Sequence, residues 1–265
     1  MTETYEVLAL RYATRDAKRQ DHFISDVPNP DGAMPMDYFI WVLRSPERIV
    51  LLDTGFKPDV SARRGRTYLR SPSEALRAAG IDPESIQDIV ISHMHYDHAG
   101  TVDAFPNARL HLQEQELDFV TSKKNLPTRR AFEVADVNEV IGAMYAERVK
   151  LYNGSAQPWP GLSIHLVGGH TAGSQIVRVH TKRGWVVLAA DASHFYENME
   201  RGIPFHGTYD VEQGIAGFDT MRSLADSNEH VVPGHDPAVV SRYPSASTAL
   251  DGIVVRLDEP PRGET

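Results

Sequence analysis

The stretch Ser92-His93-Met94-His95-Tyr96-Asp97-His98-Ala99-Gly100 sets three imidazoles and a carboxylate within six consecutive positions. Packing a core gives no reason for such a run, whereas holding cations does. The residues just before it, Ile86 to Ser92, read as a short buried strand, so the cluster leaves a strand's C-terminal end, where open α/β folds place ligands. In such a loop His93 and His95 can face one way while Asp97 and His98 face the other. That arrangement suits two cations about 3.5 to 4 Å apart. Neutral imidazole and carboxylate oxygen are suitable ligands for zinc, and they also suit manganese, iron or cobalt.

Upstream, Tyr38 to Leu43 and Ile49 to Asp53 are β-rich runs around the polar turn Arg44-Ser45-Pro46-Glu47-Arg48, a hairpin pattern. Ser73 to Ala79, with Ser73 as N-cap and Gly80 beyond its end, reads as a helix. Downstream, Arg109 to Gln113 is a strand, and Glu114 to about Val149 has helical character broken near Asn125-Leu126-Pro127. Leu162 to Val167, Gln175 to His180 and Trp185 to Ala190 read as strands, Val211 to Ala225 as a helix and Val231-Val232 as a short strand. Each of His170, Asp191 and His235 then falls in a loop just after a strand. We expect a single α/β domain over 1–265, with a helical insertion around 114–149 and a loose C-terminal tail over 256–265.

Composition narrows the chemistry. The chain has no cysteine, which excludes disulfides, thiolate catalysis and zinc–thiolate sites. Any metal must be held by nitrogen and oxygen. With 41% apolar residues the 265-residue chain can bury a sizeable core, and no run of about 18 apolar residues suggests a membrane span. The acidic start, Met1-Thr2-Glu3-Thr4-Tyr5-Glu6, does not resemble a signal peptide, which leads us to expect a cytoplasmic protein. A net charge of -9 without a basic stripe argues against nucleic acid as a partner.

The run His93-Met94-His95-Tyr96-Asp97-His98 resembles the His-x-His-x-Asp-His signature of the metallo-β-lactamase superfamily. Further elements follow the same order: Asp53-Thr54-Gly55, the Gly168-to-Ser174 histidine loop, Ala190-Asp191-Ala192 and Pro233-Gly234-His235-Asp236. The resemblance covers roughly Tyr38 to Val240. It implies a four-layer αβ/βα sandwich with two metals at one edge. His93, His95 and His170 would hold one metal, Asp97, His98 and His235 the other, and Asp191 would bridge them. Thr171 or Ser174 could orient His170, and Asp53, Ser92 and Asp236 could support other ligands, although each also fits a turn or a cap. Met34, Met36 and Phe39 fit core packing better than a substrate pocket, and His22, His111, His165, His180 and His230 carry no expected function.

Two divalent cations bring a bridging water's pKa towards about 7 and make hydroxide available as the nucleophile. No Gly-x-Ser-x-Gly elbow offers a side-chain alternative. Asp97 or Asp191 can pass a proton to the departing alkoxide. Asp191 to Asn198, followed by Ile203-Pro204-Phe205, resembles the N-acyl homoserine lactone lactonases and their relatives. Members of that group usually carry a tyrosine three positions after the bridging aspartate, where this chain has His194. His194 as an imidazolium, or nearby Tyr196, is therefore the candidate proton donor, and His206 fits a structural role better.

The expected reaction is opening of a lactone, an N-acyl homoserine lactone or an aromatic lactone such as 4-pyridoxolactone, by a monomer or homodimer. The alternatives are thioester hydrolysis of the glyoxalase II type, β-lactam or phosphodiester hydrolysis, a di-iron redox protein, and a non-catalytic binding module.

Overall fold

The computed structural model describes residues 2–126 and 128–263. Two sheets face each other, and helices cover their outer faces. Along the first sheet the strands run β13 (Val254–Arg256), β1 (Glu6–Arg15), β2 (Met36–Arg44), β3 (Ile49–Leu52), β5 (Asp88–Val90), β6 (Arg109–Gln113) and β7 (Val149–Tyr152). A two-residue strand, β4 (Thr67–Tyr68), pairs with β1 at the side. The second sheet runs β12 (Val231–Val232), β11 (Gly184–Leu188), β10 (Gln175–Thr181), β9 (Leu162–Leu166) and β8 (Ala156–Trp159).

The layers follow from the period of two in the strands, whose successive side chains point to opposite faces. In β1, Val7 and Ala9 face the second sheet while Leu8, Leu10 and Tyr12 face helices. In β2, Phe39, Trp41 and Leu43 take the inner face and Tyr38, Ile40 and Val42 the outer one. A sheet covered on both faces needs apolar residues at both parities, which is why these strands read as nearly continuous apolar runs. Helices α1 (Pro58–Arg64), α2 (Pro72–Ala78) and α4 (Val134–Tyr145) bury Val60, Ala75, Leu76, Val140 and Ala143 against the first sheet, beside α3 (Glu114–Thr121) with its Val120. Helices α5 (Tyr196–Arg201) and α6 (Val211–Leu224) cover the second sheet with Met199, Phe218 and Met221. The short α7 (Ala238–Arg242) places Val239 in the layer between the sheets. The expected four-layer αβ/βα sandwich is therefore the observed fold.

Several boundaries differ from the sequence expectation. Helix α2 begins earlier, because Ser71 and not Ser73 caps it: the Ser71 hydroxyl accepts from the Glu74 amide while the Glu74 carboxylate accepts from the Ser71 amide. The helical segment 114–149 resolves into α3 and α4, and Val149 already belongs to an edge strand. The tail is not loose from 256 onward. Arg256 pairs with Leu8, Leu257 is fully buried and donates its amide to Val7 O, and Asp258 is buried beside it. Among the described residues no helix is long and apolar enough to cross a membrane.

Because β3, β5 and β6 run parallel, and β11 and β12 run parallel, their C-terminal ends bring several loops to one edge. Gln175 ties the sheets together there, its amide donating to Ser92 O and its side chain to Ile91 O, at 2.9 and 2.7 Å.

Candidate metal centre

Two left-handed residues aim the site. Asp53 follows β3 directly with φ +63°, and Ala190 precedes Asp191 with φ +43°. Such conformations cost of order 1–3 kcal/mol each and persist where the surroundings enforce them. Asp53 accepts from the Ser92 amide at 2.7 Å, from the Ser92 hydroxyl at 2.8 Å and from His98 Nδ1–H at 2.7 Å. That bond fixes the ring of His98 and leaves Nε2 facing the site. Likewise His235 Nδ1–H donates to Asp37 O at 2.8 Å, again freeing Nε2.

All seven sequence-predicted metal residues converge here, and all are buried. In one group His95 Nδ1 lies 3.0 Å from His93 Nε2 and 2.8 Å from His170 Nε2. In the other, Asp97 Oδ2 lies 3.8 Å from both His98 Nε2 and His235 Nε2. Asp191 stands between them: Oδ1 is 3.1 Å from His98 Nε2 and 2.9 Å from His235 Nε2, while Oδ2 is 3.3 Å from His170 Nε2. Among the described residues His98 Nε2, His235 Nε2 and Asp191 Oδ1 are buried without an aligned hydrogen bond. Buried polar atoms are normally satisfied, and a shared set of unsatisfied nitrogen and oxygen atoms is what divalent cations require. The residues therefore fit metal ions.

Protonation in the His93, His95 and His170 group agrees with that fit. Burial holds His93 and His95 well below the ordinary histidine range and brings His170 to about 4, so all three are neutral donors. For His98, burial pulls downward, but Asp191, Asp53 and Asp97 outweigh it and raise the pKa. For Asp191, burial pushes upward, but His98, His235 and His194 hold the carboxylate well below its usual range.

The supporting residues divide. Asp53 and Ser92 do brace candidate ligands, Asp53 at His98 and Ser92 at His93. Asp236 does not: it accepts from the amides of Tyr196 and Ala238 and so caps helices. Nor do Thr171 and Ser174 hold the His170 ring. Thr171 Oγ1 donates to Glu116, and Ser174 Oγ accepts from the Thr171 amide. Glu116 went unrecognised in the sequence. It is fully buried, and its carboxylate accepts from the Met94 amide at 2.8 Å, from Thr171 Oγ1 at 2.5 Å and from the Gly173 amide at 3.1 Å. It thus links the His93–His95 loop to the His170 loop. Gly173 is required there, because a Cβ would overlap the Glu116 backbone.

His194 reaches the site, donating from Nε2 to Asp191 Oδ2 at 2.9 Å with its ring stacked 3.3 Å from Phe205. Burial keeps it well below the usual histidine range, so the expected imidazolium is not the form present at neutral pH. Tyr196 does not reach the site. The chain enters α5 at this residue, and its ring packs under the Arg242 guanidinium, facing away from the cavity over the histidine and aspartate cluster. The phenols that line that cavity are Tyr38 and Tyr96, with hydroxyls 3.4 Å apart. Tyr38 meets the His235 ring edge-on and is pushed up to about 12 by burial, so it remains a neutral donor. His22, expected to be idle, also lines the cavity, as do His206 and Met36, while Phe39 lies between the sheets.

A profile described as the metallo-β-lactamase superfamily matches residues 34–235. The chain belongs to this superfamily. Among curated superfamily relatives, the N-acyl homoserine lactonase AiiB of Agrobacterium fabrum is 33% identical over 246 residues, covering 80% of this chain and 83% of that protein. The N-acyl homoserine lactonase of Bacillus cereus is 24% identical over 230 residues, covering 80% and 86%. Of solved structures, a quorum-quenching N-acyl homoserine lactone lactonase superposes with TM-score 0.74 at 21% identity over 89% of this chain and 93% of that one. A probable metal-dependent hydrolase from Staphylococcus aureus superposes with TM-score 0.76 at 15% identity over 100% and 99%.

Proposed function

We propose that this chain is a dinuclear metal-dependent hydrolase that opens a lactone ring. His93, His95 and His170 would hold one divalent cation, Asp97, His98 and His235 the other, and Asp191 both. The observation that carries this reading is the division of the Asp191 carboxylate, one oxygen toward each histidine group. Zinc suits the donor set best, and iron, manganese or cobalt also fit it. Such cations would supply Lewis acidity and a nucleophilic water at neutral pH.

The protein's own groups supply the rest. Neutral His194 donates a hydrogen bond at the rim of the cluster, and Asp191 orients it. Tyr38 offers a neutral phenol on the other wall, where a departing alkoxide can take a proton. The lactone substrate class is supported by the curated lactonase relatives, one of them 33% identical.

The test is elemental analysis together with a pH-indicator assay on a panel of N-acyl homoserine lactones and aromatic lactones, set against a thioester and a chromogenic cephalosporin. Two metals per chain and lactone opening, abolished by exhaustive chelation and restored by zinc, are expected. A fully metal-loaded protein that opens no lactone refutes the substrate class, and full activity after chelation refutes the metal site.

A further inference from the structure

A cavity of about 370 Å³ lies over the histidine and aspartate cluster. In a chain of net charge -9 its wall is cationic, with Arg15, Arg64, Arg66 and Arg130 against Asp21 as the one further carboxylate. Arg15 is offset by Asp21 at 3.7 Å and Arg64 by Glu133 at 2.7 Å. Among the described residues Arg66 and Arg130 form no ion pair. Arg66 is half-buried, and a guanidinium drawn partly out of water without an ion-pair partner is costly, while Arg130 stands exposed at the rim.

Arg64 and Arg66 are held in place. Tyr96, between His95 and Asp97, carries the Arg64 guanidinium 3.9 Å over its ring and accepts from Arg66 Nε at 3.0 Å. Arg66 donates to Arg64 O at 2.7 Å, Arg64 donates to Arg130 O at 2.8 Å, and the Tyr96 amide donates to Ala131 O at 2.9 Å. The residue that separates two candidate ligands therefore fixes Arg64 and Arg66 at a set reach from the cluster. Asp97 and Asp191 already face the cluster's histidines, so they do not explain a further wall of positive charge.

We propose that the substrate carries an anionic group, a carboxylate or a phosphate monoester, away from the bond that is cleaved, and that Arg66 and Arg130 receive it. Guanidinium presents a planar fork of donors that matches both anions. This inference rests on the hydrolase reading of the site.

Calorimetry on the metal-loaded protein tests it, using γ-lactams that resist hydrolysis and carry an N-acyl chain ending in a carboxylate, a phosphate monoester or a neutral carboxamide. One or both anions should bind at least about tenfold tighter than the carboxamide, the scale of one charge-assisted hydrogen bond. The tighter anion identifies the group. The preference should shrink as salt rises, fall severalfold in Arg130→Gln at its exposed position, and vanish in the Arg66→Gln/Arg130→Gln double variant with metal content unchanged. Equal binding of all three ligands, binding of none, or an anion preference that survives the double variant overturns the proposal. Lactone turnover in the same preparation keeps the two readings apart. Neutral lactones opened as fast as anionic ones retain the hydrolase and refute the anion site, whereas selective anion binding without turnover does the reverse.

Discussion

Glu116→Gln removes a charge while keeping shape, and it isolates the link between the two loops that carry candidate metal donors. Each carboxylate oxygen faces an obligate backbone donor, the Met94 amide on one side and the Gly173 amide on the other. A glutamine offers one acceptor and one amino group, so one backbone N–H must confront another donor in a fully buried place. Hydrogen bonds to charged groups contribute roughly 1.5–3 kcal/mol, and an unsatisfied buried donor costs a further 1–3 kcal/mol or so. We expect the variant to lose about 2–4 kcal/mol. In a chain of this size that corresponds to a fall in melting temperature of about 5–15 °C. The two histidine loops also lose their common anchor, so metal affinity should fall about 10- to 100-fold. Urea denaturation of the metal-loaded and metal-free proteins, with chelator competition for affinity, measures both effects. An unchanged unfolding midpoint together with unchanged metal affinity refutes the reasoning.

Burial lowers the His22 pKa to about 4, so the native state stays neutral while the unfolded chain titrates near 6.5. The contribution of His22 is fully present above about pH 6.5 and is lost as pH falls from there towards 4, by about 1–2 kcal/mol at pH 5 relative to His22→Gln. Urea titrations of both proteins at pH 7.5 and 5 would contradict this if the stability difference between them stays constant. Leu257→Ala should cost about 2–5 kcal/mol although only eight residues follow it in the sequence, because the side chain is fully buried. A loss below 0.5 kcal/mol or so, by the same method, would mean that the tail does not pack. His194→Ala should lower lactone turnover by about tenfold or more with both metals bound, as measured by indicator kinetics and elemental analysis. Full turnover in that variant would remove His194 from the mechanism.

The donors of the candidate metal centre were legible in the sequence because the strongest signal is local. His93, His95, Asp97 and His98 share one loop, and His170, Asp191 and His235 each follow a short apolar strand. Strand β6 and the start of α6 were legible for the same reason, since side-chain periodicity and turn chemistry act over a few residues. The Ser71–Glu74 capping box was also present as Ser71-Pro72-Ser73-Glu74 and would have placed α2 correctly.

Other features depended on partners far along the chain. Strand β1 is recognisable as an interior strand of a sheet only when β2 and β13 lie beside it, and Arg256 to Asp258 belong to the core only because that strand receives them. The roles of Glu116, of Tyr38 and Tyr96, and of the arginine wall arise where separate segments meet. Spacing along the chain cannot show which way a ring turns at a helix start, so Tyr196 looked equivalent to His194 until α5 directed it toward Arg242. The sequence by itself determined the donor chemistry and the strand pattern, because these are properties of neighbouring residues. Tertiary structure decided which groups converge, since that depends on packing between segments that are distant in sequence.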